Sequence, residues 1–253
     1  MELEFLGTGT STGVPQIGCR CNVCTSTDPH DRRLRASAIL RTQGKSILID
    51  CGPDFREQIL RASDWSIDAV LITHIHYDHI GGIEDLRPYC LDKPIGIYAQ
   101  KEVTDGLHTR LPYCFAHLNY PGIPQLALHA VDARPFTVEG LAVLPLPVWH
   151  YRLPIFGYRI GNFAYITDAN NIPDETYKRL EGVDTLVINA LRIKPHLSHF
   201  SLEESLEAVR RIRPRVAYLT HISHDMGLHK MVDKTLPPNV RLAYDALTIE
   251  VPD

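Results

Sequence analysis

Residues 69 to 82 read Ala-Val-Leu-Ile-Thr-His-Ile-His-Tyr-Asp-His-Ile-Gly-Gly. The apolar run from Ala69 to Ile72 has the length and composition of a buried strand. His74, His76, Asp78 and His79 follow where that strand must end, and Gly81 and Gly82 let the chain turn. Imidazole and carboxylate together suit zinc, manganese or iron. His74 and His76 alternate, whereas Asp78 and His79 are adjacent and point differently from that pair. The economical reading is two ions, one on His74 and His76 and the other on Asp78 and His79.

The chain has 253 residues and a formal net charge of −4. That length allows one large domain or two small ones. No linker is marked, so a single domain over residues 1–253 is expected. The mildly acidic balance argues against an extended basic face for long nucleic acid, though it allows a local basic pocket. No apolar run reaches the length of a membrane span. The opening Met-Glu-Leu-Glu-Phe-Leu-Gly reads as a strand rather than a signal peptide. A cytoplasmic location is therefore expected, and the six cysteines are expected to be thiols or metal ligands rather than disulfides.

Three of those cysteines, Cys19, Cys21 and Cys24, fall within six positions and suit thiolate binding of one zinc ion. Cys51, Cys90 and Cys114 stand alone and read as small core residues. Gly7-Thr-Gly-Thr-Ser-Thr-Gly13 is a loop that could offer backbone N–H groups to an anion. It is not a Walker loop, because no Gly-Lys-Ser/Thr follows.

The remaining pattern is strands, then strand–helix alternation, twice over, which suggests two sheets with helices outside. A hairpin is expected over 36–50 with its turn at Gln43-Gly44-Lys45. Asp50 ends it, either as a turn residue or as a partner to a ligand histidine. A helix is expected from Pro53 to Ala62, others over 84–91 and 101–107, and an irregular loop over 108–125. His108, His117 and His129 lack partner motifs and read as surface or packing residues. Strands at 126–131, 135–138, 141–148, 157–161 and 163–167 place His150 and Asp168 at strand ends. After a helix from Pro173 to Leu180 and a strand over 185–189, Ser201 and Glu204 form a capping box for a helix over 202–212. The strand 216–219 ends in Thr220-His221-Ile-Ser-His224-Asp225. A helix over 226–236 and a last pair of short strands within 240–250 close the chain.

Thr73-His74-Ile-His76-Tyr-Asp78-His79-Ile-Gly-Gly resembles the H-x-H-x-D-H motif of the metallo-β-lactamase fold hydrolases. His150 with Gly157-Tyr158, Asp168 in Ile-Thr-Asp and His221 in Leu-Thr-His-Ile-Ser resemble that family's later motifs, in order. Phe5-Leu-Gly-Thr-Gly-Thr is similar to the start of its ribonuclease Z-like branch. Cys19-x-Cys21-x-x-Cys24 with Thr220-His-Ile-Ser-His-Asp225 narrows the resemblance to the PhnP family of cyclic phosphodiesterases in phosphonate metabolism. The resemblance to the cofactor-biosynthesis protein PqqB is weaker. No Gly- and basic-rich arm of the ribonuclease Z kind is present, which argues against tRNA processing.

The resemblance implies an α+β fold, a four-layer αββα sandwich. It implies His74, His76 and His150 on one ion, Asp78, His79 and His221 on the other, and Asp168 bridging. It also implies a structural zinc on Cys19, Cys21, Cys24 and His224, with Asp225 as an alternative contact. Such a pair of ions, with manganese favoured over zinc, would activate water and clamp a phosphoryl group. The expected substrate is a small phosphorylated sugar, 5-phospho-α-D-ribosyl 1,2-cyclic phosphate, opened to ribose 1,5-bisphosphate. His199 is then the expected general acid, with His196 as the fallback, and Asp78 has a catalytic as well as a ligand role. Arg152, Arg192, Lys194 and the 7–13 loop are candidates for holding a second phosphate. The competing readings are an RNA-processing nuclease of the ribonuclease Z kind and a PqqB-like protein. Neither long nucleic acid nor a membrane is expected as a partner, and a homodimer is left open.

Overall fold

The computed structural model describes residues 1–91, 93–115 and 123–252. His117 and the middle of the loop expected over 108–125 lie outside the described residues. Six strands run first: β1 (Glu2–Gly7), β2 (Ser37–Thr42), β3 (Lys45–Ile49), β4 (Ala69–Leu71), β5 (Ile95–Gln100) and β6 (Leu126–Val131). Seven more follow: β7 (Phe136–Val138), β8 (Leu141–His150), β9 (Leu153–Ile160), β10 (Phe163–Ile166), β11 (Thr185–Asn189), β12 (Val216–Thr220) and β13 (Val240–Leu242). The last strand, β14 (Thr248–Glu250), returns to pair with β1.

The strands form two seven-stranded sheets, ordered β14-β1-β2-β3-β4-β5-β6 and β13-β12-β11-β10-β9-β8-β7. Each sheet begins antiparallel and turns parallel, along β3-β4-β5-β6 in the first and β10-β11-β12-β13 in the second. Parallel strands are covered on both faces, which explains why β4 and β11 read as unbroken apolar runs. Within β4, Leu71 points into the core between the sheets, beside Phe5, Ile47 and Tyr165. Its neighbour Val70 points the other way, to a core shared with Phe55, Val103 and Leu107. Those last three belong to helices α1 (Phe55–Arg61) and α3 (Lys101–Arg110), separated in sequence by the single turn α2 (Tyr77–Ile80). On the far side, Ile166, Ile188 and Leu219 pack with Ala208 and Val209. The latter pair lies on α5 (Leu202–Ile212), which follows α4 (Asp174–Arg179) and precedes α6 (His229–Asp233). The layers are therefore helix, sheet, sheet, helix. Each fully buried Leu, Ile or Phe contributes about 1.5–3 kcal/mol of transfer free energy to that stack.

Local chemistry sets most boundaries. Gln43 and Gly44 both have positive φ, giving the two-residue turn between β2 and β3. Ser201 accepts from the backbone N–H of Glu204, whose carboxylate accepts from the backbone N–H of Ser201, so α5 starts where its capping box lies. Three expectations fail. Helix α1 begins at Phe55 and not at Pro53, with Asp54 as its N-cap residue and the Asp54 carboxylate on Arg35. The helix expected over 226–236 is broken at Gly227, where φ is 99°, leaving a single 3-10 turn over His224–Met226 and the short α6. The two closing strands do not pair with each other: β13 joins one sheet and β14 the other.

The N-terminal loops are bound to the C-terminal half by a buried polar cluster. Arg33 Nη1 donates to Thr8 Oγ1 at 2.7 Å and to the Ala243 carbonyl at 2.5 Å, while Nη2 lies 3.0 Å from His229 Nδ1. Thr8 and the Leu34 backbone in turn donate to the Asp245 carboxylate. Burial pushes Arg33 down to about 10, well above neutrality, so it stays charged, and Asp245 and Asp31 supply the opposing charge. His229 can accept from Arg33 only when neutral. Burial, followed by the charges of Arg33 and His30, pushes it down to about 4 from 6.5. The unfolded chain therefore binds a proton that the folded chain refuses between those values. Stability is full above pH 6.5 and is lost as pH falls towards 4. Urea titrations across that window should show His229→Gln with a flatter acid loss than the parent; parallel pH profiles would contradict this assignment.

Candidate metal centre

The residues expected as ligands all follow carboxyl ends of strands on one edge of the sandwich. β4 runs into His74 and His76 and then into α2, which carries Asp78 and His79. His150 ends β8, Asp168 follows β10 and His221 follows β12. Two close approaches fix the loop after β4. A Cβ on Gly52 would stand 2.1 Å from the Asp78 carbonyl oxygen, and one on Gly82 would stand 2.1 Å from that of Gly52. Only hydrogen fits there, so the Asp50-Cys-Gly loop lies directly against the segment that carries Asp78 and His79.

Three ligand sets result. One donor atom from each of His74, His76 and His150 lies within 4.8 Å of the others, as does one from each of Asp78, His79, Asp168 and His221. Asp168 also groups with His150 and His199. It stands between the two main sets: its Oδ2 is 3.2 Å from His79 Nε2, and its Oδ1 is 3.1 Å from His221 Nε2 and 3.0 Å from His199 Nε2. The sets adjoin, with the rings of His74 and His79 centred 4.2 Å apart.

The orientation of the imidazoles is settled by what their other nitrogens meet. His79 Nδ1 donates to Asp50 Oδ2 at 2.7 Å. Thr73 donates its N–H and its hydroxyl to the same carboxylate at 2.8 and 2.9 Å. The Thr73 hydroxyl therefore accepts from His74 Nδ1, 3.0 Å away. His150 Nδ1 donates to the Ser198 carbonyl at 2.8 Å. In each case Nε2 is left as an unprotonated lone pair turned into the cluster, the arrangement that metal-binding histidines use. His79 Nε2 and both ring nitrogens of His221 are buried without a hydrogen bond among the described residues. Buried polar atoms are rarely left so; a cation at Nε2 would account for those two atoms and not for His221 Nδ1.

Electrostatics agrees. Burial by itself would push His79 down, yet Asp78, Asp50 and Asp168 raise it well above the usual histidine range. Burial would raise Asp168, but His221 and His79 hold it well below the usual carboxylate range. Buried acids stand among buried imidazoles. That donor set suits divalent cations. The backbone is strained at the same places: Asp50, Asp168 and His221 have φ of 61°, 59° and 55°. Such values cost L-residues about 1–2 kcal/mol each and gather where function needs them.

A separate cluster brings together Cys19, Cys21, Cys24 and His224. Cys24 Sγ lies 3.2 Å and Cys21 Sγ 3.7 Å from His224 Nδ1. Backbone N–H groups of Gln16 and Cys24 donate to the sulfurs of Cys24 and Cys21. The Cys24 N–H, first among its influences, draws Cys21 down to about 7, while burial pushes Cys24 up to about 11. Three thiols and one imidazole are a zinc-type donor set. Asp225 Oδ1 is 3.7 Å from His224 Nε2, on the side of the ring away from the sulfurs. Cys51, Cys90 and Cys114 are buried in the core as expected.

Most of the 7–13 loop braces the site. The N–H groups of Thr8, Gly9, Thr10 and Gly13 are all taken by protein acceptors, that of Thr10 by the Ile222 carbonyl beside His221. His196 and His199 lie together, with Nδ1 atoms 3.2 Å apart and the Ser198 hydroxyl against both. Burial pushes His199 down to about 4. His108 packs on the Phe115 ring and His129 stacks on Tyr98, the packing roles expected. The linking role of Thr73 was not foreseen; its place between Asp50 and His74 appears only when β3 and β4 are paired.

A model described as the beta-lactamase superfamily domain matches residues 45–222. A crystal structure of a new diphosphatase from the PhnP family superposes with a TM-score of 0.92 at 41% identity, covering 98% of this chain and 96% of that one. Zinc-bound PqqB from Methylobacterium extorquens shares the fold, with a TM-score of 0.77 at 19% identity over 99% and 100% of the two chains. A protein named octanoyltransferase from Porphyromonas gingivalis is 45% identical over 250 residues, which are 98% of this chain. The match spans 51% of that relative, so the chain covers about half its length.

Because one carboxylate orients a histidine in each main set, Asp50→Asn should weaken both together. Competition against a chromogenic chelator should show metal affinity falling by about 10–100-fold. Unchanged affinity in the variant would remove Asp50 from this role.

Proposed function

The chain belongs to the beta-lactamase superfamily, in its PhnP family, and we propose that it hydrolyses a small phosphodiester at the edge of the sandwich. The substrate that fits this reading is 5-phospho-α-D-ribosyl 1,2-cyclic phosphate, opened to ribose 1,5-bisphosphate. The observation that carries it is Asp168, a buried carboxylate shared between two adjoining donor sets with His199 at its open side. His74, His76 and His150 would hold one divalent ion and Asp78, His79 and His221 the other, with Asp168 common to both. Imidazole and carboxylate without thiolate suit manganese as well as zinc, and the family resemblance makes manganese the proposed metal. Divalent ions bound there supply Lewis acidity, which makes hydroxide available at neutral pH and offsets phosphoryl charge.

The chain's own residues then have defined tasks. Asp78 and Asp168 fix the charge balance of the pocket, so that one anionic diester is drawn in and a neutral ester is not. Asp50, Thr73 and Ser198 keep the histidines aimed. Hydrolysis frees a proton at water and consumes one at the departing sugar oxygen. An alkoxide leaves poorly without that proton, and His199 Nε2 is the atom proposed to deliver it, with His196 beside it as the alternative. Delivery requires the Asp168 carboxylate, 3.0 Å away, to hold the charged imidazole against the burial that lowers its pKa. The structural neighbour is described as a diphosphatase, and a P–O–P bridge would present the same anionic oxygens. Its leaving phosphate needs no proton, so dependence on His199 distinguishes the two bond types.

The metal-loaded protein should be assayed against cyclic and linear diesters, diphosphates and precursor tRNA, with products identified by phosphorus NMR. The ribosyl cyclic phosphate is expected to give the highest kcat/KM. His199→Gln should lower that value by about 10²–10⁴ while keeping its metal content, and should cost far less with bis(p-nitrophenyl) phosphate, whose leaving group needs no proton. Preferential cleavage of precursor tRNA, or equal losses on both diesters, would contradict this reading.

A structural zinc on Cys19, Cys21, Cys24 and His224 completes the proposal. Three residues separate His224 from His221, so this ion would hold the loop that carries an active-site ligand. Cys21→Ala should lose one zinc equivalent, melt earlier and lose activity. Full activity with unchanged melting would count against the coupling.

A further inference from the structure

We propose that Tyr158, in β9, is a positioning residue: its hydroxyl fixes the separation across which each donor set is completed from the opposite sheet. The inference rests on the functional reading above in one respect, that both donor sets take ions.

The centre is assembled from two sheets. His74, His76, Asp78 and His79 follow β4 of the first, whereas His150, Asp168 and His221 end or follow β8, β10 and β12 of the second. Each main set therefore takes two donors from the first sheet and the rest from the second. Asp168 shows what this demands. Its Oδ2 lies 3.2 Å from His79 Nε2 across the gap, and its Oδ1 lies 3.1 Å from His221 Nε2 on its own sheet. It serves both only while the sheets keep one separation. Apolar packing between sheets is non-directional, whereas metal–ligand distances must be met within about 0.2 Å. A directional contact is needed where the two edges converge.

β9 supplies it. The Tyr158 hydroxyl donates to the Ile72 carbonyl at 2.6 Å, and the Phe156 N–H donates to the Thr73 carbonyl at 3.2 Å. Those are the last two carbonyls before His74. Within its own sheet Tyr158 pairs with Pro145 of β8 on one side and with Tyr165 of β10 on the other. It thus lies between the strands that lead to His150 and to Asp168. A Cβ on Gly157 would stand 2.5 Å from the Tyr165 carbonyl oxygen, so β9 lies tight against the strand leading to Asp168. Tyr158 is 1% exposed, and burial pushes its hydroxyl well above the usual tyrosine range, so it stays a donor. One buried hydroxyl therefore links the entry to the first-sheet ligands with the strands that carry two of the second-sheet ligands.

The test compares wild type, Tyr158→Phe and Tyr165→Phe. Tyr165 is an equally buried tyrosine on the next strand, and its hydroxyl has no hydrogen bond among the described residues. Protein stripped of metal and given back one zinc equivalent is titrated with manganese(II) alone. Calorimetry reads affinity, and electron paramagnetic resonance at saturation reads the spin-coupled pair. Tyr158→Phe should bind manganese about tenfold or more weakly, within the range seen when a group supporting the ligands is lost. Its coupled signal should be diminished even at saturation, where a purely structural role would leave the signal of the folded protein unchanged. Tyr165→Phe should match wild type in both. Wild-type affinity and signal in Tyr158→Phe, or an equal loss in Tyr165→Phe, overturns the inference. Wild type without a coupled pair overturns it together with the two-ion reading. Wild type that holds the pair but hydrolyses no phosphodiester sinks the functional reading alone, and the same titration still decides Tyr158.

Discussion

The Asp50 carboxylate, fully buried between the sheets, is the contact on which the centre depends. It accepts from His79 directly and from the backbone and hydroxyl of Thr73, which passes the orientation on to His74. One acid thus aims a histidine in each donor set. Burial raises its pKa, which the bonds from His79 and Thr73 oppose. Its position requires β3 and β4 to run parallel side by side, since Ile49 pairs with Leu71 and the residues just beyond each strand come together. The register of one strand pair is therefore a condition for the chemistry.

The second sheet contributes on the same principle. β8, β10 and β12 end at the same edge, so His150, Asp168 and His221 reach the groups from the first sheet although about a hundred residues separate them in sequence. Open sheets with parallel strands carry their sites at carboxyl ends because backbone and loops converge there. Here two such edges face each other. Three of the residues there, Asp50, Asp168 and His221, have left-handed backbone. Aspartate and histidine tolerate that region better than most residues, which lets Asp168 and His221 turn the corner and offer donor atoms while Asp50 turns it and orients His79.

Much of this was legible in the sequence. The His/Asp run after an apolar strand and the spaced cysteines declared themselves through residue type and position, whereas the roles of strand-end His150, Asp168 and His221 came from the family resemblance. α5 was legible to the residue because its cap is a local hydrogen-bond pattern. What could not be read depends on distant partners. Pro53 looks like the first position of a helix, yet the helix opens at Phe55 and the Asp54 carboxylate goes to Arg35. The start of the 7–13 loop looks free for an anion until Asp245, Leu34 and Ile222 claim the N–H groups of Thr8, Gly9 and Thr10. The closing strands look like a pair until each finds a different sheet. In each case local propensity was sound and a long-range acceptor or edge outweighed it.

The centre also bears on stability. Asp78, Asp168, His79 and His221 are buried together, two of their Nε2 atoms without hydrogen bonds among the described residues. Desolvated charges arranged this way cost several kcal/mol unless opposite charge compensates them. A cation that binds the folded chain and not the unfolded one shifts the folding equilibrium by mass action, about 4 kcal/mol at a thousandfold excess over Kd. The same groups that would activate a phosphate ester would thus make the fold itself depend on the ions. The His224 cluster, three residues beyond His221, extends that dependence to the N-terminal loops. Those loops are joined to the same region by Gly9 and Thr10 against Ile222 and by the Arg33 cluster. Folding, metal loading and site geometry would then be one linked equilibrium, because no donor set in this chain is drawn from a single local segment.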